Sequence, residues 1–167
     1  MPTKILEEKL GNFLRQRGLK LAVAESCTGG LLANRITDIP GSSDYFSGGI
    51  VAYSYEAKVG VLGVSWETLR VHGAVSREAV MEMARGARRR FSADIAVSVS
   101  GISGPGGGTT DKPIGTTWIG LAGEEGDWVR HFMFAGNRLE NKRSAADQAL
   151  HFVIDLLDGR LVLEPSS

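Results

Sequence analysis

Apolar residues recur at helical spacing from the start of the chain, at Ile5, Leu6, Leu10, Phe13 and Leu14, and Gly18 follows as a stop. This predicts an amphipathic opening helix. The run Leu19 to Ala24 reads as a strand, and Leu31, Leu32 and Ile36 mark a second helix that ends near Pro40-Gly41. The segment Pro40 to Asp44 reads as a loop. Tyr45 to Tyr53 reads as a strand whose internal Gly48-Gly49 pair points to a bulge or a close backbone approach. Tyr55 to Leu62 and Trp66 to Val71 predict two short helices before His72-Gly73. Ser76 is an N-cap for a helix running through Val80, Met83, Ala84 and Ala87 to Phe91, with Glu78 in its first turn and Ala79 where a capping box would need an acid. Ala93 to Ser100 alternates and is rich in Val, so it reads as a strand that feeds the glycine-dense loop Gly101 to Thr110. Thr116 to Ala122 and Trp128 to Phe134 form a hairpin across Gly123 to Asp127. Gly136-Asn137-Arg138 reads as a turn, and Leu139 to Leu157 as a long final helix with Ala145, Ala149, Phe152, Val153, Leu156 and Leu157 inward.

Helices that interleave with strands, followed by a late hairpin, predict an α/β fold: a three-layer α/β/α sandwich with a mixed central sheet. The chain of 167 residues, 43% hydrophobic, suffices for one core, so residues 1–167 are expected to form a single domain. Nineteen basic residues balance nineteen acidic ones, so no global field draws the protein to nucleic acid or an anionic membrane, and neither is expected as a partner. The cluster Arg85, Arg88, Arg89 and Arg90 ends a helical pattern, where cations offset the helix dipole, and reads as a solvated face. One cysteine forms no internal disulfide, the segment Met1 to Leu10 is charged unlike a signal peptide, and no apolar run reaches the ~18 residues of a membrane span. A cytoplasmic location is expected.

Candidate chemistry centres on Ala24-Glu25-Ser26-Cys27-Thr28-Gly29-Gly30, where a strand ends in a tight turn that opens a helix. A serine there projects above the sheet, and the glycines let backbone N–H groups crowd toward whatever sits above them. The ordinary reading is a helix start capped by Ser26 or Thr28. A serine hydroxyl needs a nearby base, and Lys58 can be one if burial lowers its pKa. Tyr53 is a core residue or a hydrogen-bonding helper in the same segment. The loops Thr28-Gly29-Gly30 and Gly104 to Thr110 can hold a phosphate or an oxyanion through backbone N–H groups, although neither matches a Walker motif or a dinucleotide-binding glycine pattern. Lys112, Arg138, Lys142 and Arg143 are cations able to reach a phosphate, with surface charge as the competing reading. His72, His131 and His151 lack paired ligand spacing and Cys27 lacks a partner cysteine, so no metal site is expected.

These stretches in order, joined by Pro40-Gly41-Ser42-Ser43, Gly48-Gly49, Tyr53-Ser54 with Lys58, Leu62-Gly63-Val64, Gly73-Ala74-Val75-Ser76, Ser100-Gly101-Ile102 with Gly104-Pro105, Lys112-Pro113 with Gly115, and Gly136 with Arg138, resemble the CinA C-terminal family from about Leu19 to Leu157. Its members characterised as enzymes are nicotinamide-nucleotide amidases. The resemblance implies hydrolysis of the carboxamide of nicotinamide mononucleotide to nicotinate mononucleotide and ammonia, with no metal or organic cofactor. It implies Ser26 as nucleophile, Lys58 as general base, Tyr53 as an orienting group, and the backbone at Cys27, Thr28 and Gly29 as the oxyanion hole, a contribution of ~3 to 4 kcal/mol per donor. Gly30, Gly48, Gly49, Ser100, Gly101, Gly104, Gly107, Lys112 and Arg138 are expected to bind the substrate. A homodimer is expected, as is the absence of the N-terminal molybdopterin-binding-like domain that larger relatives carry. The chain departs from the family pattern at Tyr55 (usually Asn), Gly106 and Asn137 (usually Asp) and Lys142 (commonly Arg). Two rival readings stay open: a non-catalytic nucleotide-binding module, and an interaction protein of competence or damage response. A short-chain dehydrogenase ranks lower, because Tyr53 and Lys58 are five apart where that chemistry uses four.

Overall fold

The computed structural model describes residues 4–162. The single-domain reading at its two ends, residues 1–3 and 163–167, lies outside the described residues. Helix α1 (Ile5–Arg17) ends at Gly18 in the left-handed conformation, which glycine adopts without a Cβ clash. Strand β1 (Leu21–Glu25), helix α2 (Leu31–Thr37), strand β2 (Phe46–Val51), helix α3 (Tyr55–Leu62) and helix α4 (Trp66–His72) follow. Helix α5 (Arg77–Phe91), strands β3 (Ile95–Gly101), β4 (Thr116–Ala122) and β5 (Asp127–Met133), and helix α6 (Arg138–Leu157) complete the order. The strands lie in the order β2-β1-β3-β4-β5, with β1 parallel to both β2 and β3, and β4 and β5 antiparallel. The sheet is therefore mixed and carries helices on both faces.

Period-two alternation sets the two faces. Leu21, Val23, Ile95, Val97 and Val99 join the core under α1, α2 and α6, while Ala22, Ala24 and Ala96 join the second core with Leu62, Val80 and Met83. The small residues on the second face let α5 approach closely. Ser98 Oγ donates to the Val80 carbonyl at 2.5 Å, and a Cβ on Gly120 would sit 2.5 Å from that same oxygen. In β2, Gly48 serves the same packing. The register shifts between Leu21 and Ala22, Gly48 has φ +150°, and a Cβ there would lie 2.5 Å from the Phe91 ring.

Three local readings change. Strand β2 stops at Val51, two residues before Tyr53, so the Ala52 and Tyr53 carbonyls leave the sheet free for another donor. The segment Gly136-Asn137-Arg138 is a helix start: Asn137 accepts from Glu140 N, Glu140 reaches back in a capping box, and Arg138 is the first helical residue. The arginines ending α5 are only partly a solvated face. Arg85 pairs with Asp127 at 2.7 Å, and Arg88 and Arg90 donate to the carbonyls of Asp94 and Val61. Among the described residues, no helix is long and apolar enough to cross a membrane.

Candidate active site

The carboxyl ends of β1, β2 and β3 meet where Ser26 leaves the sheet. Its backbone N–H still bonds the Val99 carbonyl at 3.0 Å, which fixes Ser26 relative to β3. Gly29 (φ +60°) and Gly30 (φ +101°) then turn the chain into α2. Glu25 anchors this turn. Its carboxylate, 1% exposed, accepts from the amides of Gly30, Leu32 and Ala33 at 3.2, 2.9 and 3.0 Å. An acid at a helix N-terminus is stabilised by the free amides and the dipole, which offsets the cost of burying its charge.

Lys58 projects from α3 to Ser26. Its Nζ lies 3.0 Å from Ser26 Oγ, 2.9 Å from the Ala52 carbonyl and 3.0 Å from the Tyr53 carbonyl. Lys58 is 1% exposed and Ser26 8%. Burial, which penalises the ammonium, holds the Lys58 pKa below its usual value. A neutral amine has two N–H groups and one lone pair. The two carbonyls take the N–H groups, and the lone pair then faces the Ser26 hydroxyl. The neighbouring thiol of Cys27 stays protonated: burial foremost pushes it up to about 11, with only partial relief from the Ser103 side chain.

The expected oxyanion donors divide. The Gly29 amide is already used by the Ser26 carbonyl at 3.1 Å, whereas among the described residues the Thr28 amide donates to no carbonyl or carboxylate and the Cys27 amide bonds only its own thiol. The Thr28 hydroxyl is buried without a partner. Tyr53 meets the site at two points, its carbonyl on Lys58 and its phenol oxygen accepting from Arg138 Nη2 at 3.2 Å. Tyr53 as a whole is 61% exposed. Arg138 Nη1 donates to the Gly104 carbonyl at 2.8 Å, so α6, the Gly104 loop and the segment before α3 converge.

The remaining expected substrate residues scatter. Ser100, buried, and Gly101 close β3, where a Cβ on Gly101 would strike Thr117 Oγ1. Gly30 spends its amide on Glu25. Gly48 and Gly49 sit inside β2 against Phe91 and Val23, and Gly107 lies out in the loop beside Ile102. Lys112 Nζ caps α4 through the His72 carbonyl. Tyr55, the departure from the family pattern in the segment carrying Lys58, lines a shallow hollow with Trp66, Leu69 and Arg70.

Two residues went unassigned in the sequence reading. Glu25 could have been found as an acid just ahead of a helix start. Asn141, 2% exposed, donates to the Ser103 carbonyl and accepts from Gly136 N, clamping the loop to α6. The capping signature Asn137-x-x-Glu140 would have placed it one turn inside a helix. Among the described residues, no cluster of three or more His, Cys, Asp or Glu side chains could hold a metal ion.

Comparison with known proteins supplies the context. A model of the CinA C-terminal domain matches residues 3–157. A CinA-like protein of Chlorobium limicola is 53% identical over 150 residues, covering 87% of this chain and 35% of that protein. One from Chloroherpeton thalassium is 52% identical over 157 residues, 92% of this chain and 37% of its own length. The chain thus spans about a third of the length of these curated relatives. The crystal structure of the competence/damage inducible protein CihA from Agrobacterium tumefaciens superposes with a TM-score of 0.90 at 38% identity, over 93% of this chain and 94% of that one. A competence-damaged protein (CinA) superfamily protein from Klebsiella pneumoniae gives 0.91 at 34% identity, over 95% and 99%.

Proposed function

This chain belongs to the CinA C-terminal domain family, and from that premise we propose that it is an amidohydrolase that deamidates nicotinamide mononucleotide through Ser26 and Lys58. The observation that carries the reading is the buried Lys58, its amine 3.0 Å from Ser26 Oγ with two carbonyls on its remaining directions. Neutral Lys58 takes the hydroxyl proton as Ser26 Oγ attacks the carboxamide carbon, whose electrophilicity the pyridinium charge raises. The Cys27 and Thr28 amides receive the oxyanion. The tetrahedral species collapses, the C–N bond breaks, and the Lys58 ammonium gives its proton to the departing NH2 group, which leaves as ammonia. Water, deprotonated by Lys58, then splits the acyl-serine to give nicotinate mononucleotide. The scheme requires no metal or organic cofactor.

The test is ammonia release from nicotinamide mononucleotide by the parent and by folded Ser26→Ala and Lys58→Ala variants. Activity in the parent with a loss of several orders of magnitude in both supports the dyad. Equal activity in the variants would sink it. The names of the solved relatives, which speak of competence and damage induction, favour one second reading, a nucleotide-binding or interaction module without turnover. Under that reading the parent releases no ammonia yet is thermally stabilised by the nucleotide.

A further inference from the structure

Three consecutive arginines, Arg88, Arg89 and Arg90, sit in the last turn of α5, and they exceed what a helix end requires. The dipole at a helix C-terminus amounts to about half a negative charge, which one cation answers and three overshoot. Nor are they needed as caps. The amides of Ser92 and Ala93 already bond the Arg89 and Arg88 carbonyls at 3.2 and 3.0 Å. In a chain with no net charge, this helix end is a local excess of positive charge. It lies at the amino end of β3, where the Asp94 and Ile95 amides bond the Lys20 carbonyl, and Ser26 lies at the carboxyl end.

Among the described residues, none of the three meets a carboxylate. Arg88 and Arg90 donate through Nε alone, at 3.0 and 2.9 Å, to the carbonyls of Asp94 and Val61. Those bonds hold the two side chains in place and leave their outer N–H groups unused. Arg89 is exposed and has neither a hydrogen bond nor an ion pair among the described residues. It stands between two grooves and lines both. One, shared with Arg90, is floored by Gly60 and Gly63. The other, shared with Arg88, runs toward the β4–β5 hairpin. A Cβ on Gly60 would meet nothing within 4 Å, so another chain can lie close to the backbone there. Two acids line the second groove, and Asp127 is held by Arg85 at 2.7 Å, which leaves Glu124 alone against three guanidiniums.

We infer that the end of α5 is a docking surface for an acidic, extended segment of a partner protein, centred on Arg89 with Arg88 and Arg90 on either side. Guanidinium forks suit carboxylates, which they bind through paired hydrogen bonds, and arginine is a frequent anchor of protein interfaces. Nucleic acid fits less well. No aromatic side chain lines either groove, so unpaired bases have nothing to stack on. The evenly charged backbone of a duplex would lie against Glu124 and Asp127, whereas a peptide places its carboxylates singly and avoids them. The inference is independent of the amidase reading.

The experiment titrates the protein into fluorescein-labelled hexaglutamate, hexaglutamine and a DNA duplex, and follows anisotropy at low and at physiological salt. Hexaglutamate should bind the parent and loosen as salt rises, and hexaglutamine should not bind. Hexaglutamate should weaken about fivefold in Arg89→Gln and more than about tenfold in Arg89→Glu. Urea midpoints of both variants should be no lower than the parent's, because Arg89 bonds nothing in the fold. Lys9→Gln removes the same charge from α1, on the opposite face of the sheet, and should keep the parent's binding. Absence of hexaglutamate binding, binding that ignores both Arg89 substitutions, or an equal loss in Lys9→Gln would overturn the surface. Tighter, Arg89-dependent binding of the duplex would assign these arginines to nucleic acid and overturn it as well.

Discussion

Replacing Lys58 with Met separates the two consequences of burying an amine. Lys58 is 1% exposed, and its pKa lies below the usual lysine value because burial disfavours the ammonium. The sign follows from proton counting. In the unfolded chain Lys58 stays protonated up to about pH 10.4. The folded protein releases that proton at lower pH, so between the two pKa values the unfolded state binds more protons. Stability therefore rises with pH through this window and levels off above it. Each tenfold loss of proton affinity on folding adds about 1.4 kcal/mol to the rise. Met cannot titrate, so its variant lacks the rise. It also leaves the Ala52 and Tyr53 carbonyls without their donor, a pH-independent cost of about 1–3 kcal/mol for each buried group.

Urea unfolding of parent and Lys58→Met in steps from pH 7 to 10.5 reads both effects. The constant offset is the lost hydrogen bonding, and the part that grows with pH is the lost proton linkage. On the proposed mechanism, kcat/KM of the parent climbs along an alkaline limb with its midpoint at the same lowered pKa, and Lys58→Met loses about a hundredfold to ten-thousandfold in rate. A stability difference that is flat with pH, or an activity midpoint at or above the free-lysine value, would refute the reasoning.

Glu25→Gln keeps the shape of the side chain but removes the charge that answers three helix amides; urea unfolding should show a loss of about 2–4 kcal/mol, and a loss below 0.5 kcal/mol would deny the cap its role. Gly86→Ala drives a Cβ into the Leu62 carbonyl, whereas Gly60→Ala in α3 meets open space. The first should cost more than about 2 kcal/mol and the second add about 0.5–1, read from denaturation midpoints. Cys27, with its thiol pushed to about 11, should react slowly with a disulfide reagent at pH 8 and rapidly once urea unfolds the protein. Fast labelling of the native protein would contradict its burial.

The layers of this fold were legible because each rests on local periodicity. Leu21, Val23, Ala22 and Ala24 alternate as a strand must, and α3 and β4 fall at the expected residues. The errors sit at element ends, where side-chain bonding decides. Gly136-Asn137-Arg138 looks like a turn until Asn137 and Glu140 are seen to cap one another. The pairing of Ser26 with Lys58 had no local signal. It depends on β1 and β2 lying parallel, with Glu25 opposite Val51, so that α3 starts beside the end of β1. The family resemblance supplied that pairing, and the residues alone did not.

The glycine turn is the instructive case, because its composition pointed one way and its bonding another. Glycines permit the backbone to present amides, but they do not reserve those amides for a ligand. Here Glu25, the residue just before Ser26, reaches forward five to eight positions and fills the helix start itself. With that carboxylate in place, the amides that open α2 are spent within the chain, and the proposed mechanism has only those of Cys27 and Thr28 to set against an oxyanion. Removing the Glu25 charge tests that reading, since Glu25→Gln leaves the α2 dipole less fully answered and should bind inorganic phosphate more tightly than the parent even as the fold weakens. Phosphate binding to Glu25→Gln that matches the parent would show that the α2 opening is closed to anions by shape and not by charge.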